Sequence, residues 1–83
     1  MDYKILFDKP AQKFLLKQPQ DQRKRLLSAI GKLPHSGDIK AMQGFPGCFR
    51  LRVGSYRIIF SVDNTVLTVC VINIDNRGDI YKK

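Results

Sequence analysis

The chain has 83 residues, with fifteen Lys and Arg against seven acidic residues, all of them aspartates, and a net charge of +8 at pH 7. That length supports one domain, residues 1–83, around one modest core. A hydrophobic content of 43% excludes a disordered chain, and no apolar run approaches membrane-spanning length. The excess of cations favours a polyanionic partner, with an acidic protein as second choice. The first residues, Met1 to Phe7, lack a basic region followed by an apolar core and cleavage site, which predicts a soluble cytoplasmic protein without membrane attachment.

Tyr3, Ile5 and Phe7 alternate with Lys4 and Leu6 and predict a short strand. Asp8 can cap a helix, and Pro10 suits its first turn. Ala11, Phe14 and Leu15 mark one face of that helix, which ends before Pro19; Lys9, Lys13 and Lys17 recur on another. A second helix is expected from Pro19 or Asp21 to about Leu33. Leu26, Leu27, Ile30 and Leu33 would face the core, and Arg23, Lys24 and Arg25 would face water. Pro34 to Gly47 reads as loop, because Pro34, Gly37, Gly44, Pro46 and Gly47 break any period. Within it Met42 and Phe45 are expected under the sheet, and Lys40 near the cations that follow.

Cys48 to Phe60 reads as a β-hairpin turning at Gly54-Ser55, with glycine first, as a type II′ turn requires. Val53 then faces Tyr56, Leu51 faces Ile58 and Phe49 faces Phe60, all on one side. On the other side Arg52 opposes Arg57, with Arg50 one pair further along. Like charges directly opposite each other are destabilising. Arginines gathered there with no acid interleaved along the strands point to an anionic ligand; the plainer alternative is a solvated outer face. Asp63-Asn64 predicts a second tight turn. Thr65 to Ile74 is apolar on both faces and reads as a central strand, antiparallel to the one before it, with the N-terminal strand beside it. The fold class is α+β, in the order β-α-α-β-β-β: an antiparallel four-stranded sheet with a helical hairpin on one face. The last strand returns to the level of Gly54, which brings Arg77 and Tyr81 of the tail toward Arg52 and Arg57.

The two cysteines match no metal spacing and read as small buried hydrophobes. His35 reads as a surface loop residue. With one histidine and no glutamate, cleavage by a histidine pair and a histidine-based zinc site are excluded, and no cofactor or metal is expected.

Gln43-Gly44-Phe45-Pro46-Gly47-Cys48-Phe49-Arg50-Leu51-Arg52-Val53-Gly54-Ser55-Tyr56-Arg57-Ile58-Ile59-Phe60, followed by Asn76-Arg77-Gly78-Asp79-Ile80-Tyr81, resembles the RelE/ParE toxin superfamily. The similarity spans nearly the whole chain, and the run Arg-Leu-Arg-Val-Gly-x-Tyr-Arg is its most specific part. The resemblance implies the toxin of a type II toxin–antitoxin pair, partnered by an acidic RelB-like antitoxin. RelE-type members enter the ribosomal A site and cleave mRNA; ParE-type members act on DNA gyrase. It also implies site residues. Arg50 and Arg52 fall on the basic positions of the hairpin's first strand, Arg57 on the arginine of its second, Arg77 on the arginine after the last strand and Tyr81 on the C-terminal tyrosine. Lys40, Lys82 and Lys83 would add RNA contacts. Two features depart from the pattern: Asn76-Arg77-Gly78 stands where many relatives carry His-Arg-Arg, and the chain stops two residues after Tyr81.

The chemistry fits those side chains. RNA self-cleavage needs a deprotonated 2′-OH, a neutralised phosphate and a protonated 5′-oxygen. Arginine offers planar paired donors to phosphate but is a poor base, since its pKa exceeds ~12. Arg57 and Arg77 would clamp the scissile phosphate, with Arg50 and Arg52 positioning the backbone. Tyr81 would take the proton or stack on a base. The expected activity is a metal-independent endoribonuclease that inhibits translation on ribosome-bound message. The alternatives are a ParE-like gyrase inhibitor and a catalytically weak ribosome- or RNA-binding module.

Overall fold

The computed structural model describes residues 3–76. Strand β1 (Lys4–Phe7) leads into helices α1 (Lys9–Lys17) and α2 (Gln20–Ile30). Four strands follow: β2 (Asp38–Ala41), β3 (Cys48–Val53), β4 (Tyr56–Asp63) and β5 (Thr68–Asn76). They form one sheet in the order β1-β5-β4-β3-β2. The α+β class and the element order agree with the sequence. Two details differ. The sheet has five strands, because Asp38–Ala41, expected as loop, pairs antiparallel with β3. It is also mixed, because β1 lies beside β5 as expected but runs parallel to it. The two helices between β1 and the later strands make the long crossover that a parallel neighbour requires.

The hairpin register is the expected one: Val53 opposes Tyr56, Arg52 opposes Arg57, Leu51 opposes Ile58 and Phe49 opposes Phe60. Gly54 has φ +60, and Leu67 is the one non-glycine residue with positive φ among those described. Ser55 therefore keeps a negative φ, which fits the type II′ turn.

One face of the sheet carries the core. Leu51, Ile58 and Phe60 from the hairpin and Val69, Val71 and Ile74 from β5 meet Ala11 and Leu15 of α1 and Leu26 and Ile30 of α2, all nearly inaccessible to solvent. Fully burying a side chain of this size contributes roughly 1.5–3 kcal/mol, so this layer carries most of the fold. Phe14 meets Tyr56 edge to face at 6.0 Å, and the Tyr56 hydroxyl donates to Gln18 Oε1 at 3.1 Å, tying the end of α1 to the turn end of the hairpin.

Several side chains depart from their expected places. Leu27 is 42% exposed, because Leu26 and Ile30 define the inner stripe of α2 and the next residue points about 100° away. Phe45 is 59% exposed, on a tight turn closed by Phe45 N–H to Met42 O and Cys48 N–H to Phe45 O. Arg23 is half-buried: its Nε and Nη2 donate to the carbonyls of Leu15 and Gln18 at 3.1 and 3.0 Å at the end of α1, where the Leu15 carbonyl also accepts the Gln18 N–H. Asp8 sits at the helix start but makes no side-chain cap. Helix α2 stops at Ile30, three residues early, though Leu33 still reaches the core. The turn after β4 runs longer than two residues, with Asp63 Oδ1 accepting from the N–H groups of Thr65 and Val66, so β5 starts at Thr68.

A register shift next to Ile59 decides what β5 presents to each face. Ile59 opposes Asn73 while Phe60 opposes Val71, so Ile72 is an extra residue. Alternation from Val69 and Val71 would otherwise turn Asn73 and Asp75 into the core. The bulge inverts the phase, so that Ile74 is buried and Asn73 and Asp75 face outward. Asn73 Oδ1 accepts the Ile74 N–H at 2.9 Å at the kink.

Gly37, at the approach to β2, has φ +122, and a Cβ placed there would lie 2.6 Å from Leu51 Cδ1, on a side chain that is fully buried. Gly44 has φ +80 with nothing within 4 Å. Gly37→Ala is expected to lower unfolding free energy by about 1–3 kcal/mol, and Gly44→Ala by only about 1 kcal/mol. Denaturant midpoints of the two variants check the order, and equal losses would show that contact with Leu51 is unimportant.

Candidate functional site

Among the described residues, the sheet's other face has no helix on it. Its centre is a cross-strand row running through four strands: Asp38 on β2 opposes Arg52 on β3, Arg52 opposes Arg57 on β4, and Arg57 opposes Asp75 on β5. The next row holds Lys40, Arg50, Ile59 and Asn73 in the same strand order. Lys40, Arg50, Arg52 and Arg57, all expected at the site, therefore stand on one surface. Alternation along β2 and β3 sends Ile39, Leu51 and Val53 inward and leaves the intervening cations outside.

Space between these cations is open to a ligand. Asp38, Lys40, Arg50 and Arg52 enclose a narrow cleft of about 30 Å³. Lys40 and Arg50 also line a broader one of about 340 Å³ with Ala41, Met42 and Gln43, at the β2 edge. The second lies within the ~300–1,000 Å³ range typical of ligand sites. Lys40, Arg50 and Arg52 are exposed, so a polyanion can reach them directly.

Arg57 differs from the other three. It is only 28% exposed, and its Nη2 donates to Asp75 Oδ2 at 2.9 Å. Arg57 Nε and Asp75 Oδ1 are both buried and have no hydrogen-bond partner among the described residues. Asp38 and Asp75 are the residues that sequence reasoning missed on this face. No acid is interleaved along the hairpin itself, but two flank it across the sheet. The hairpin register alone could not reveal them: Asp38 lay in an apparent loop, and Asp75 reaches the outer face only through the bulge at Ile72. Strand β5 runs as far as Asn76, opposite Tyr56, one register step beyond Arg57. Arg77, Tyr81, Lys82 and Lys83 lie outside the described residues.

Further along the same face, Cys48, Ser61 and Cys70 share a row. Both thiols are free and half-buried. They stand two strand spacings apart, about 10 Å, beyond the reach of a disulfide. Cys70 Sγ donates to Asp8 Oδ1 at 3.3 Å, which explains why Asp8 is not a helix cap. Burial first, and then the hydrogen bond and negative charge of Asp8, push the Cys70 thiol above its ordinary value. Among the described residues no group of three or more His, Cys or Asp side chains could hold a metal ion, and no helix is long and apolar enough to cross a membrane.

Residues 5–81 match the family described as the ParE toxin of the type II toxin–antitoxin system parDE. The chain is a toxin of the RelE/ParE superfamily. Toxin RelG of Mycobacterium tuberculosis is 28% identical over 92 residues, an alignment covering all of both chains. The toxin in the RelB–RelE antitoxin–toxin complex of Methanococcus jannaschii is 31% identical, with a TM-score of 0.73 over 93% of this chain and 95% of that one. In the intact Escherichia coli RelBE complex the figures are 26% and 0.76, over 89% and 95%. This toxin thus shares its fold with relatives from both archaea and bacteria.

The thiol chemistry supplies a test of the site geometry. Cys70 of the toxin should alkylate more slowly than an ordinary exposed thiol at pH 8, with its rate profile displaced to higher pH. Asp8→Asn removes the negative charge while keeping an acceptor oxygen, and should move the profile back part of the way, leaving the effects of burial and of the hydrogen bond. Peptide-resolved iodoacetamide labelling reads both, and a profile unmoved in Asp8→Asn would remove the Asp8 charge from the account.

Proposed function

We propose that this toxin is an mRNA interferase, a ribosome-dependent endoribonuclease that cleaves message in the A site and so inhibits translation. The observation that carries the reading is the placement of Lys40, Arg50, Arg52 and Arg57 on one uncovered sheet face with ligand-sized space beside Lys40 and Arg50. In this scheme Arg57 and Arg77 hold the scissile phosphate. Arg50 and Arg52 neutralise the charge that builds on its oxygens, and Lys40, Lys82 and Lys83 bind the flanking backbone. The 2′-oxygen attacks phosphorus, the bond to the 5′-oxygen breaks, and a proton passes from the 2′-OH to the leaving oxygen. Tyr81 accepts that proton or stacks on the neighbouring base. The products are a 2′,3′-cyclic phosphate and a 5′-OH. Fixed donors aimed at developing charge are usually the largest contribution to such a reaction, and four cations provide it here without calling on a metal ion. The natural partner is a RelB-like acidic antitoxin, the kind of chain with which the archaeal and E. coli relatives form complexes.

A second reading, inhibition of DNA gyrase, is favoured by the ParE description of the matching family. A third, a ribosome- or RNA-binding module with weak chemistry, draws on Asn76 and Gly78 where many relatives are basic.

The deciding experiment adds purified toxin to an in vitro translation reaction and maps mRNA 5′ ends by primer extension. New ends within codons on ribosome-bound message are expected. Arg57→Ala should slow their appearance by about 10²–10³-fold, the usual cost of one oxyanion donor, and Tyr81→Phe should slow it if the phenol moves the proton. Intact message with inhibited plasmid supercoiling would establish gyrase inhibition instead. Stalled translation without new ends would establish binding without cleavage.

A further inference from the structure

The charged row across the sheet carries a consequence beyond ligand binding by its arginines. Asp38, Arg52, Arg57 and Asp75 run acid, cation, cation, acid and sum to no net charge. Arg57, central in that row, spends only part of its donor capacity. The Nε and Nη2 groups of a guanidinium form one edge that can hold two oxygens side by side. Asp75 Oδ2 takes the Nη2 donor at 2.9 Å, whereas Arg57 Nε and Asp75 Oδ1 stay buried and unpartnered among the described residues. A carboxylate that occupies one of two donors, with its own second oxygen unused, is a poor final partner for this edge. A phosphate group, with oxygens spaced to accept from both Nε and Nη2, is a better one.

We infer that Asp75 is a resident stand-in for substrate phosphate: it holds the Arg57 guanidinium in place on the bare face and gives it up when a phosphodiester arrives. Asp75 is thus a positioning residue that sets the affinity of the face and acts through Arg57. It keeps the Arg52–Arg57 pair tolerable in the free toxin and raises the concentration of polyanion needed to engage Arg57. The bulge at Ile72 is the backbone feature that provides it, since without that extra residue the carboxylate would point into the core.

This inference rests on the reading of the face as a phosphate site but not on cleavage, so its test avoids the reaction. The probes are inorganic phosphate and a short 2′-deoxy oligonucleotide, which has no 2′-OH to attack. In the wild-type toxin the Arg57 Nε–H and Asp75 side-chain carboxyl NMR signals should move together, with one midpoint, as either probe is added. In Asp75→Asn the Arg57 midpoint should fall about three- to fivefold, within what a half-exposed ion pair is worth. Asp21→Asn, an equal charge change on α2 at the opposite face of the sheet, should leave it unmoved. The inference is overturned if the Asp75 carboxyl signal stays fixed while Arg57 Nε–H shifts, which requires no variant to fold. It is equally overturned if Asp75→Asn and Asp21→Asn tighten binding alike, since net charge alone would then account for the effect. Absence of any Arg57 shift at saturating oligonucleotide also overturns it. A toxin that passes these tests yet leaves ribosome-bound mRNA intact would refute the interferase reading and keep the phosphate exchange.

Discussion

The direct opposition of Arg52 and Arg57 is the constraint on which the outer face turns. Like charges directly opposite each other across strands are destabilising, by roughly the 0.2–1 kcal/mol that a favourable pair contributes, against the ~5–15 kcal/mol that holds a domain together. Long side chains can splay to reduce this, and solvent screens the exposed Arg52. The half-buried Arg57 has less of either relief, and it is Arg57 that carries the ion pair with Asp75. Asp38 occupies the other end of the row, opposite Arg52. The hairpin register is fixed by the inner face, where Leu51, Ile58 and Phe60 are buried, so the arginines cannot escape one another by a strand slip without exposing the core. The core therefore holds the cations together, and the flanking acids make that arrangement tolerable.

The two faces of the same strands are thus coupled through register, and the bulge in β5 shows how closely. One extra residue at Ile72 lets the strand bury Val69, Val71 and Ile74 while presenting Asn73 and Asp75 to the opposite side. An unbulged strand would have to trade a core isoleucine for a buried aspartate. Burial of an unpaired carboxylate is far more unfavourable than a local kink, so the sequence Val71-Ile72-Asn73-Ile74-Asp75 accepts only the bulged pairing against β4.

Much of this was legible in the residues. The hairpin, its turn, its facing pairs and the gathering of Arg50, Arg52 and Arg57 follow from alternation and one glycine, because both are local; Lys40 was expected only as a loop residue near them. The helical hairpin followed from period and prolines, and the place of β1 beside β5 from the all-apolar character of β5. What escaped was non-local. Strand β2 has four residues between glycine-rich turns, and only its pairing with β3, where Ile39 meets Leu51, makes it a strand. The parallel direction of β1 is set by the helical crossover, which no residue of β1 records. Arg23 looks like a solvent-facing helix residue until the end of α1 supplies two carbonyls for it. Asp38 and Asp75 needed both the fifth strand and the bulge. Arg77 and Tyr81 rest on the resemblance and on the direction of β5, which ends beside the hairpin turn.

In the proposed reaction this arrangement implies a division of labour. The described face offers arginines and a lysine, which bind and orient phosphate but release protons reluctantly. Its two aspartates are already set against arginines by register, one of them in an ion pair. The sheet is thus suited to clamp and neutralise, on strands made rigid by the core beneath them, where small displacements of a donor would be costly for catalysis. In the scheme proton transfer then falls to Tyr81, which lies outside the described residues, the alternative being that its ring stacks on a base. A clamp built into the core and a proton carrier placed on the tail can be separated experimentally. Loss of an arginine should weaken binding and turnover together, whereas loss of the phenol should spare binding and slow the chemical step.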